Sequence, residues 1–199
     1  MTPSTSFSAS LPEWLLPLVD SYGPLESHDD RVALTNELAA RNHVEGNGGP
    51  FAAIVVDRTT SSVVSVGVNV VLSTNKSSLH AEVMALSLAQ ERLGTWDLGA
   101  SDAQDLELVV NWRPCTMCYG ALVWSGVKHL VIAGDGPECE ELTGFDEGPM
   151  PADWVGELEK RGISVTIGVQ REAAVEVFAE FGRSGATVYN ARGTGSRND

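Results

Sequence analysis

The chain has 199 residues, enough for one domain of ordinary size, and its 43% hydrophobic residues can form a buried core and argue against a disordered chain. Its formal net charge of −14 disfavours nucleic acid, which is bound through cationic contacts to phosphates, and favours a small uncharged substrate. The sequence has no basic leader and no run of roughly 20 apolar residues that could span a bilayer, so we expect a cytoplasmic protein without a membrane partner.

The first part of the chain predicts an extension, one helix and a pair of strands. Residues 1–24 form an N-terminal extension that is rich in Ser and Thr and ends in a short apolar segment. Apolar residues at helical spacing after Ser27, a plausible N-cap, predict a helix over His28–Val44. Two runs rich in β-branched residues, Phe51–Asp57 and Ser62–Leu72, predict an antiparallel hairpin.

The rest of the chain alternates between helices and strands. Helices are predicted at Leu79–Leu93, Pro114–Trp124, Pro151–Arg161 and Gln170–Phe181, and strands at Leu106–Asn111, Val127–Ala133 and Ile163–Val169. This alternation predicts right-handed crossovers between parallel neighbours. We therefore predict that residues 1–199 form a single α/β domain, a three-layer α/β/α sandwich with a mixed five-stranded sheet. A tail over residues 183–199 follows, and we expect its end to be mobile.

Two short segments combine residues typical of a catalytic zinc site. His80 and Glu82 lie at the start of one predicted helix, and Cys115 and Cys118, preceded by Pro114, lie at the start of another. Cysteines one helical turn apart can direct both sulfurs at one ion, and a helix N-terminus favours their thiolates. With His80 the protein ligands number three, whereas structural zinc sites usually have four and catalytic sites leave a position for water. The combination of H-x-E with P-C-x-x-C is the signature of zinc deaminases.

Glu82 is better placed to move protons than to bind the metal. Two residues correspond to about 200° around a regular helix, so Glu82 is a poor partner for His80 on one ion. A carboxylate beside the site can take a proton from water and pass it to a ring nitrogen and then to the leaving amine. The alternatives are a redox-active pair of cysteines and a purely structural zinc site, which would need a fourth ligand. We predict a hydrolytic deaminase with Zn²⁺ as its cofactor.

These motifs resemble those of the cytidine deaminase-like superfamily over roughly residues 28–181. Within it, Gly49-Pro50-Phe51, His80-Ala81-Glu82-Val83 and the segment from Pro114 to Cys118 are most similar to bacterial guanine deaminases and their relatives that act on aminopurine and triazine rings. The tRNA adenosine deaminases are similar too. The resemblance implies a cytidine deaminase-like fold and a homodimer with the metal-site helices near its interface.

The resemblance also implies residues that contact the substrate. Asn69 resembles a side-chain amide that hydrogen-bonds the ring, a role that suits a group with both donor and acceptor. Phe51 and Trp124 resemble aromatic residues of the pocket wall, and the backbone near Ala81 resembles a contact to a ring oxygen. We expect these four positions to surround one pocket.

Three further contacts are implied nearer the C-terminus. Either Glu138 or Glu141 stands where the family has an acidic substrate contact, and the sequence does not choose between them. Asp146 belongs to a Gly-Phe-Asp segment that follows the fourth strand in the guanine deaminases. Tyr189 lies in a tail that closes over a neighbouring subunit's pocket in those relatives.

Three departures from the family pattern affect the expected substrate. Ala52 replaces a glycine, Lys76–Leu79 replaces an Asp-Pro-Thr-Ala segment, and Arg113 stands where an acidic residue often precedes the Pro-Cys pair. We predict deamination of a free nucleobase or related amino ring, with guanine first and an ammeline-type s-triazine second. The alternatives are cytosine or 5-azacytosine, and the adenosine of a tRNA, which would need a basic surface beside the pocket.

Overall fold

The computed structural model describes residues 2–100 and 104–191 of the chain. The predicted mobile end of the tail therefore falls largely on residues 192–199, outside the described part. The helices are α1 Leu15–Ser21, α2 His28–Val44, α3 Val71–Thr74, α4 Ala81–Leu93, α5 Thr116–Ser125, α6 Glu138–Thr143, α7 Trp154–Glu159 and α8 Arg171–Ser184. The strands are β1 Ala52–Asp57, β2 Ser62–Val68, β3 Leu106–Val110, β4 His129–Ile132 and β5 Ser164–Ile167.

The five strands form one mixed sheet in the order β2-β1-β3-β4-β5. Strand β1 pairs antiparallel with β2 and β3, whereas β3, β4 and β5 are parallel. Each parallel step passes through helices, as crossover connections between parallel strands require. The predicted mixed five-stranded sheet is confirmed.

Helices cover both faces of this sheet. Alternate residues of β1 point to opposite sides: Ile54 packs in the same apolar cluster as residues of α2 and α8, and Val55 in the cluster that contains residues of α4, α5 and α7. All six residues of β1 are buried, which explains the unbroken apolar run of this central strand. The three-layer α/β/α arrangement is therefore confirmed. None of the described helices is long and apolar enough to cross a bilayer.

Several predicted boundaries differ from the structure. Helix α2 begins after Ser27, as predicted, and Ser27 forms a capping box with Asp30. Strand β2, however, ends at Val68 rather than at Leu72, because the side chain of Asn69 accepts a hydrogen bond from the Val71 amide and turns the chain into α3. The short helices α1, α3 and α6 were not predicted; each is seven residues or fewer, too short for a clear helical period.

The topology gathers the predicted site at one edge of the sheet. Because β1 is antiparallel to β2 and β3, the start of β1 lies beside the ends of β2 and β3. Phe51 precedes β1, Asn69 follows β2 and Arg113 follows β3, so three distant segments meet at this edge. Helices α4 and α5 begin at the same edge, with the predicted metal ligands at their first residues.

Candidate active site

The three predicted metal ligands form one compact group. The nearest ligand atoms of His80, Cys115 and Cys118 all lie within 4.8 Å of one another, and Cys115 Sγ is 3.5 Å from His80 Nδ1. The two cysteines are buried and are not joined by a disulfide. One imidazole and two thiols at this separation fit the ligand set and size of a tetrahedral zinc site.

Both helices begin two residues later than the sequence predicted, at Ala81 instead of Leu79 and at Thr116 instead of Pro114. His80 and Cys115 are the N-cap residues of α4 and α5 and have extended backbones, so they stand just outside the helices. Their carbonyl oxygens accept the first helical hydrogen bonds, from Met84 at 3.0 Å and from Tyr119 at 2.8 Å. Neither side chain caps its own helix, which leaves both free to face the metal group at the positive ends of the two helices.

Glu82 and His80 therefore do not lie on one regular helix, as the sequence had predicted. Because His80 is extended, the angle of 200° does not apply, and Glu82 is the second residue of α4. Its side chain lines the same cavity as His80 and Cys115 and is only 6% exposed. Burial, followed by the charge of Cys115, raises the pKa of Glu82, which favours the protonated form of a group that must exchange protons.

The thiols of Cys115 and Cys118 differ strongly in acidity. Hydrogen bonds from Cys118 and His80 outweigh burial and lower the pKa of Cys115 to about 4, whereas the same contact with Cys115, together with burial, raises the pKa of Cys118. Burial lowers the pKa of His80, but its hydrogen bond to Cys115 and the charge of Glu82 outweigh this effect and raise it. A divalent cation bound to this group would displace the protons from both sulfurs.

A cavity of about 390 Å³ opens beside the metal group, within the size range of small-molecule sites. Of the residues predicted from the sequence, those on its wall are Phe51, Asn69, His80, Glu82, Cys115, Asp146 and Tyr189. Cys118 lies behind the wall as part of the metal group. Ala81 is fully buried and is not on the wall, so the predicted contact of its backbone with a ring oxygen finds no support.

Trp124 is not part of the cavity, and its predicted role as a wall residue is wrong for this chain. Its side chain is 84% exposed, because Cys118 and Leu122 turn the opposite face of α5 inward. The aromatic wall is completed instead by Phe145, whose ring centroid is 5.4 Å from that of Phe51. The sequence singled out the segment that contains Phe145 without assigning a role to its aromatic ring.

The two glutamates proposed for the acidic contact do not line the cavity. Glu138 forms an ion pair with Arg171, and Glu141 lies on the exposed side of α6; neither lines the cavity. Besides Glu82 and Asp146, the carboxyl-bearing residue that lines the cavity is Glu147. Burial, followed by the charges of Cys115 and Glu82, raises the pKa of Glu147 to about 8. Because residues 138–143 coil into a helix, the chain reaches the cavity only after Gly144.

A hydrogen bond to its backbone oxygen holds Asn69 in place, and its side-chain Nδ2 group has no hydrogen-bond partner among the described residues. Asn42 Nδ2 donates to Asn69 O at 2.8 Å and to Gly49 O at 3.0 Å, and Asn69 Oδ1 accepts from the Val71 amide. The buried Asn69 Nδ2 lies beside the Tyr189 hydroxyl but makes no hydrogen bond of good geometry with any described residue. A buried amide donor on a cavity wall without a partner is available to a ligand.

The tail lines the cavity of its own chain. The Tyr189 hydroxyl accepts a hydrogen bond from the Gly49 amide at 3.0 Å, and its ring centroid is 4.8 Å from that of Phe145. The next residue, Asn190, donates to Gly144 O at 2.8 Å and accepts from the Asp146 amide at 3.0 Å. Tyr189 and Asn190 thus fasten the tail to both the glycine segment before β1 and the segment after α6.

Comparisons with known proteins agree with this geometry. Residues 26–134 match the model of the cytidine and deoxycytidylate deaminase zinc-binding region. The chain is 31% identical to guanine deaminase of Bacillus subtilis over 121 residues, which cover 61% of this chain and 72% of the relative. It is 27% identical to a tRNA-specific adenosine deaminase of Buchnera aphidicola over 79% of this chain and 96% of the relative.

Solved structures give the same result over more of the chain. Guanine deaminase from Nitrosomonas europaea superimposes with a TM-score of 0.84 at 39% identity, covering 92% of this chain and 100% of that chain. The protein NE0047 in complex with 2,6-diaminopurine has a TM-score of 0.82 at 42% identity and covers 92% of this chain and 96% of its own. A variant of NE0047 in complex with 8-azaguanine has a TM-score of 0.83 at 40% identity over 90% of this chain and 98% of its own.

Proposed function

Because the chain belongs to the cytidine and deoxycytidylate deaminase family, we propose that it is a zinc-dependent hydrolase that releases ammonia from guanine. The observation that supports this most is the cavity, which places a His-Cys-Cys group, a buried carboxyl group and aromatic walls around about 390 Å³. The similar proteins bound to 8-azaguanine and 2,6-diaminopurine support a purine as the ring that fills it.

His80, Cys115 and Cys118 would hold the zinc ion. Their compact arrangement provides three protein ligands, the number typical of catalytic zinc sites. When bound there, zinc supplies Lewis acidity that makes water a nucleophile near neutral pH. Metal analysis of the purified protein, with one zinc per chain lost in the Cys118→Ala variant, would test this assignment.

Glu82 would move the protons of the reaction. Its carboxylate would take one proton from the attacking water and give it to a ring nitrogen. It would then carry the second proton of the same water to the amino group, which leaves as ammonia while the oxo group forms. The burial that raises its pKa brings the carboxyl group closer to the neutral range in which such a shuttle works in both directions. Its place in the first turn of α4 keeps it beside His80 throughout.

The walls of the cavity would orient the ring. The rings of Phe51 and Phe145 provide aromatic surfaces, and the unused Nδ2 donor of Asn69 supplies a hydrogen bond. Glu147 takes the place that the sequence assigned to Glu138 or Glu141 as the acidic contact. The ring of Tyr189 lies over the cavity and would keep bulk water away from the reaction.

A polynucleotide fits this site poorly. The tail lines the cavity, and the net charge of −14 gives a polyanion no general attraction. Ammeline, cytosine and 5-azacytosine are smaller rings that the same groups could hold, so they are the competing substrates.

Ammonia release from a panel of guanine, ammeline, cytosine, 5-azacytosine and an anticodon stem-loop of tRNA tests the proposal. We expect the highest kcat/KM for guanine and no turnover of the tRNA. Faster deamination of the stem-loop or of a pyrimidine than of guanine would contradict it.

We also propose that the chain acts as a homodimer in the cytoplasm. Helix α5, which begins at a metal ligand, exposes Trp124 and Met117, and a second subunit could cover these apolar side chains. Light scattering on the purified protein should give twice the chain mass, and an active monomer at micromolar concentration would contradict the proposal.

A further inference from the structure

Arg113 places a positive charge on the cavity wall. It follows β3 and stands two residues before Cys115, where its backbone amide donates to Gly134 O at 2.8 Å. This hydrogen bond fixes its backbone against the end of β4, and the side chain lines the cavity together with Glu82 and Phe145. Arg113 is thus a residue of the cavity wall.

The side chain of Arg113 has no hydrogen-bond or ion-pair partner in the described part of the chain, and its Nε is buried without one. In that same part, every other arginine side chain donates at least one hydrogen bond; these are Arg31, Arg41, Arg58, Arg92, Arg161, Arg171 and Arg183. A partly buried charged donor without a partner is costly unless a ligand satisfies it.

The surrounding groups do not neutralise this charge. Glu138, on the adjacent helix α6, is engaged by Arg171. The neighbouring thiol of Cys139 is kept neutral, because burial raises its pKa well above the usual range despite the charge of Arg113. Glu147 shares the cavity wall but forms no ion pair with Arg113.

The chemistry of a guanidinium narrows what it can bind. Its planar fork donates two parallel hydrogen bonds and matches two adjacent acceptors in one plane. On guanine, the oxygen at position 6 and the ring nitrogen at position 7 form such a pair, and arginine is the commonest side chain to contact it. In 2,6-diaminopurine an amino group, itself a donor, replaces that oxygen.

We propose that Arg113 is a specificity-determining residue. It selects rings that carry an oxo group beside a ring nitrogen, on the edge of the ring that lies away from the amino group to be removed. The inference rests on the proposed function and deepens it. An acidic residue, which the family pattern often has at this position, would favour a donor on that edge; Arg113 favours acceptors.

The test compares guanine with 2,6-diaminopurine, which differ in the substituent at position 6 and in the proton on the adjacent ring nitrogen N1; the N7 acceptor is the same in both. We expect the ratio of their kcat/KM values to fall about tenfold or more in Arg113→Gln, since a bidentate contact discriminates by roughly that factor. Arg113→Glu should reverse the preference, because its carboxylate accepts from the amino group. Arg113→Lys should lose most of the preference for guanine, because the lysine ammonium lacks the planar fork of the guanidinium.

Arg161→Gln serves as the control for the lost charge. Arg161 lies beyond α7 and pairs with Glu157, away from the cavity wall, so its replacement should leave the ratio unchanged. Zinc content and melting temperature establish that each variant is folded.

The outcomes separate the two hypotheses. An active wild type whose ratio is unchanged in Arg113→Gln overturns the role of Arg113 and leaves the proposed function intact. A wild type that deaminates neither base overturns the proposed function; calorimetric titration of both bases into the wild type and Arg113→Gln then decides the role of Arg113. In that titration, equal loss of affinity for both bases in Arg113→Gln, or no loss, would overturn the role of Arg113.

Discussion

Replacing Gly67 by alanine should push helix α4, which begins directly after His80, away from strand β2. Gly67 lies in β2 opposite the first turn of α4, and a Cβ built there would be 2.0 Å from Ala81 O and 2.5 Å from Ala85 N. Both atoms belong to backbone, so no side-chain rotation relieves the clash. Glycine is therefore required by space at this position, although its backbone conformation is an ordinary one.

The size of the effect follows from these distances. To restore even a short contact, the distance to Ala81 O must grow from 2.0 to at least 3.0 Å, so α4 must move by about 1 Å. Overpacking of this kind costs roughly 1–3 kcal/mol of the free energy of unfolding. The movement also displaces His80 and Glu82, and a 1 Å misplacement in an active site can cost about 10²-fold in rate.

Urea unfolding and steady-state kinetics on Gly67→Ala measure both effects, with zinc content as a third readout. Gly23→Ala is the matched control, because a Cβ there meets nothing within 4 Å. We expect Gly67→Ala to lose stability, activity and zinc affinity together and Gly23→Ala to lose none of them. Wild-type stability and kcat/KM in Gly67→Ala would refute the close packing of α4 on β2.

Three further predictions concern the cavity itself. Glu82→Gln should bind zinc and fold normally yet lose about 10²–10⁴-fold in kcat; near-normal turnover would remove Glu82 from the proton shuttle. Truncation after Gly182, which removes Tyr189 and its contact with the Gly49 amide, should raise KM for guanine without releasing zinc, and an unchanged KM would count against a role of the tail in the cavity. In metal-free protein the pKa of Glu147 is raised from 4.5 to about 8, so the folded state binds the extra proton and stability falls as pH rises through this window. Glu147→Gln should therefore be similar to wild type in melting temperature near pH 5 and increasingly more stable towards pH 8; a constant difference across that range would contradict the shift.

The metal group could be predicted from the sequence because its geometry is local. Cys115 and Cys118 are the N-cap and third residue of one helix, and His80 and Glu82 are the N-cap and second residue of another. Short spacings at helix starts fix these side chains with little dependence on the rest of the chain. Only the joining of the two segments requires the fold. The alternation of strands and helices predicted a mixed sheet with parallel neighbours, but the strand order β2-β1-β3-β4-β5 comes from the structure.

The substrate contacts were harder to predict because each depends on a connection of irregular length. Residues 138–143 form α6 instead of a loop, so Glu147 lines the cavity whereas Glu138 and Glu141 do not. Trp124 was misplaced because α5 has apolar residues around most of its circumference, so the sequence does not show which side is buried. Spacing along the chain could not resolve either case.

The three departures from the family pattern also divide into residues that line the cavity and residues that do not. Ala52 is buried in β1, and Lys76 donates to Thr74 O, so neither residue lines the cavity. Ser77 and Arg113 do line it. Because the ligands and Glu82 stand on the rigid starts of α4 and α5, substitutions on the wall can change the ring that is bound without moving the groups that act on it. Of the two wall positions, Arg113 brings a charge without a partner into the pocket, whereas Ser77 brings only a hydroxyl. Arg113 should therefore contribute more than Ser77 to the choice among guanine, other purines and smaller rings.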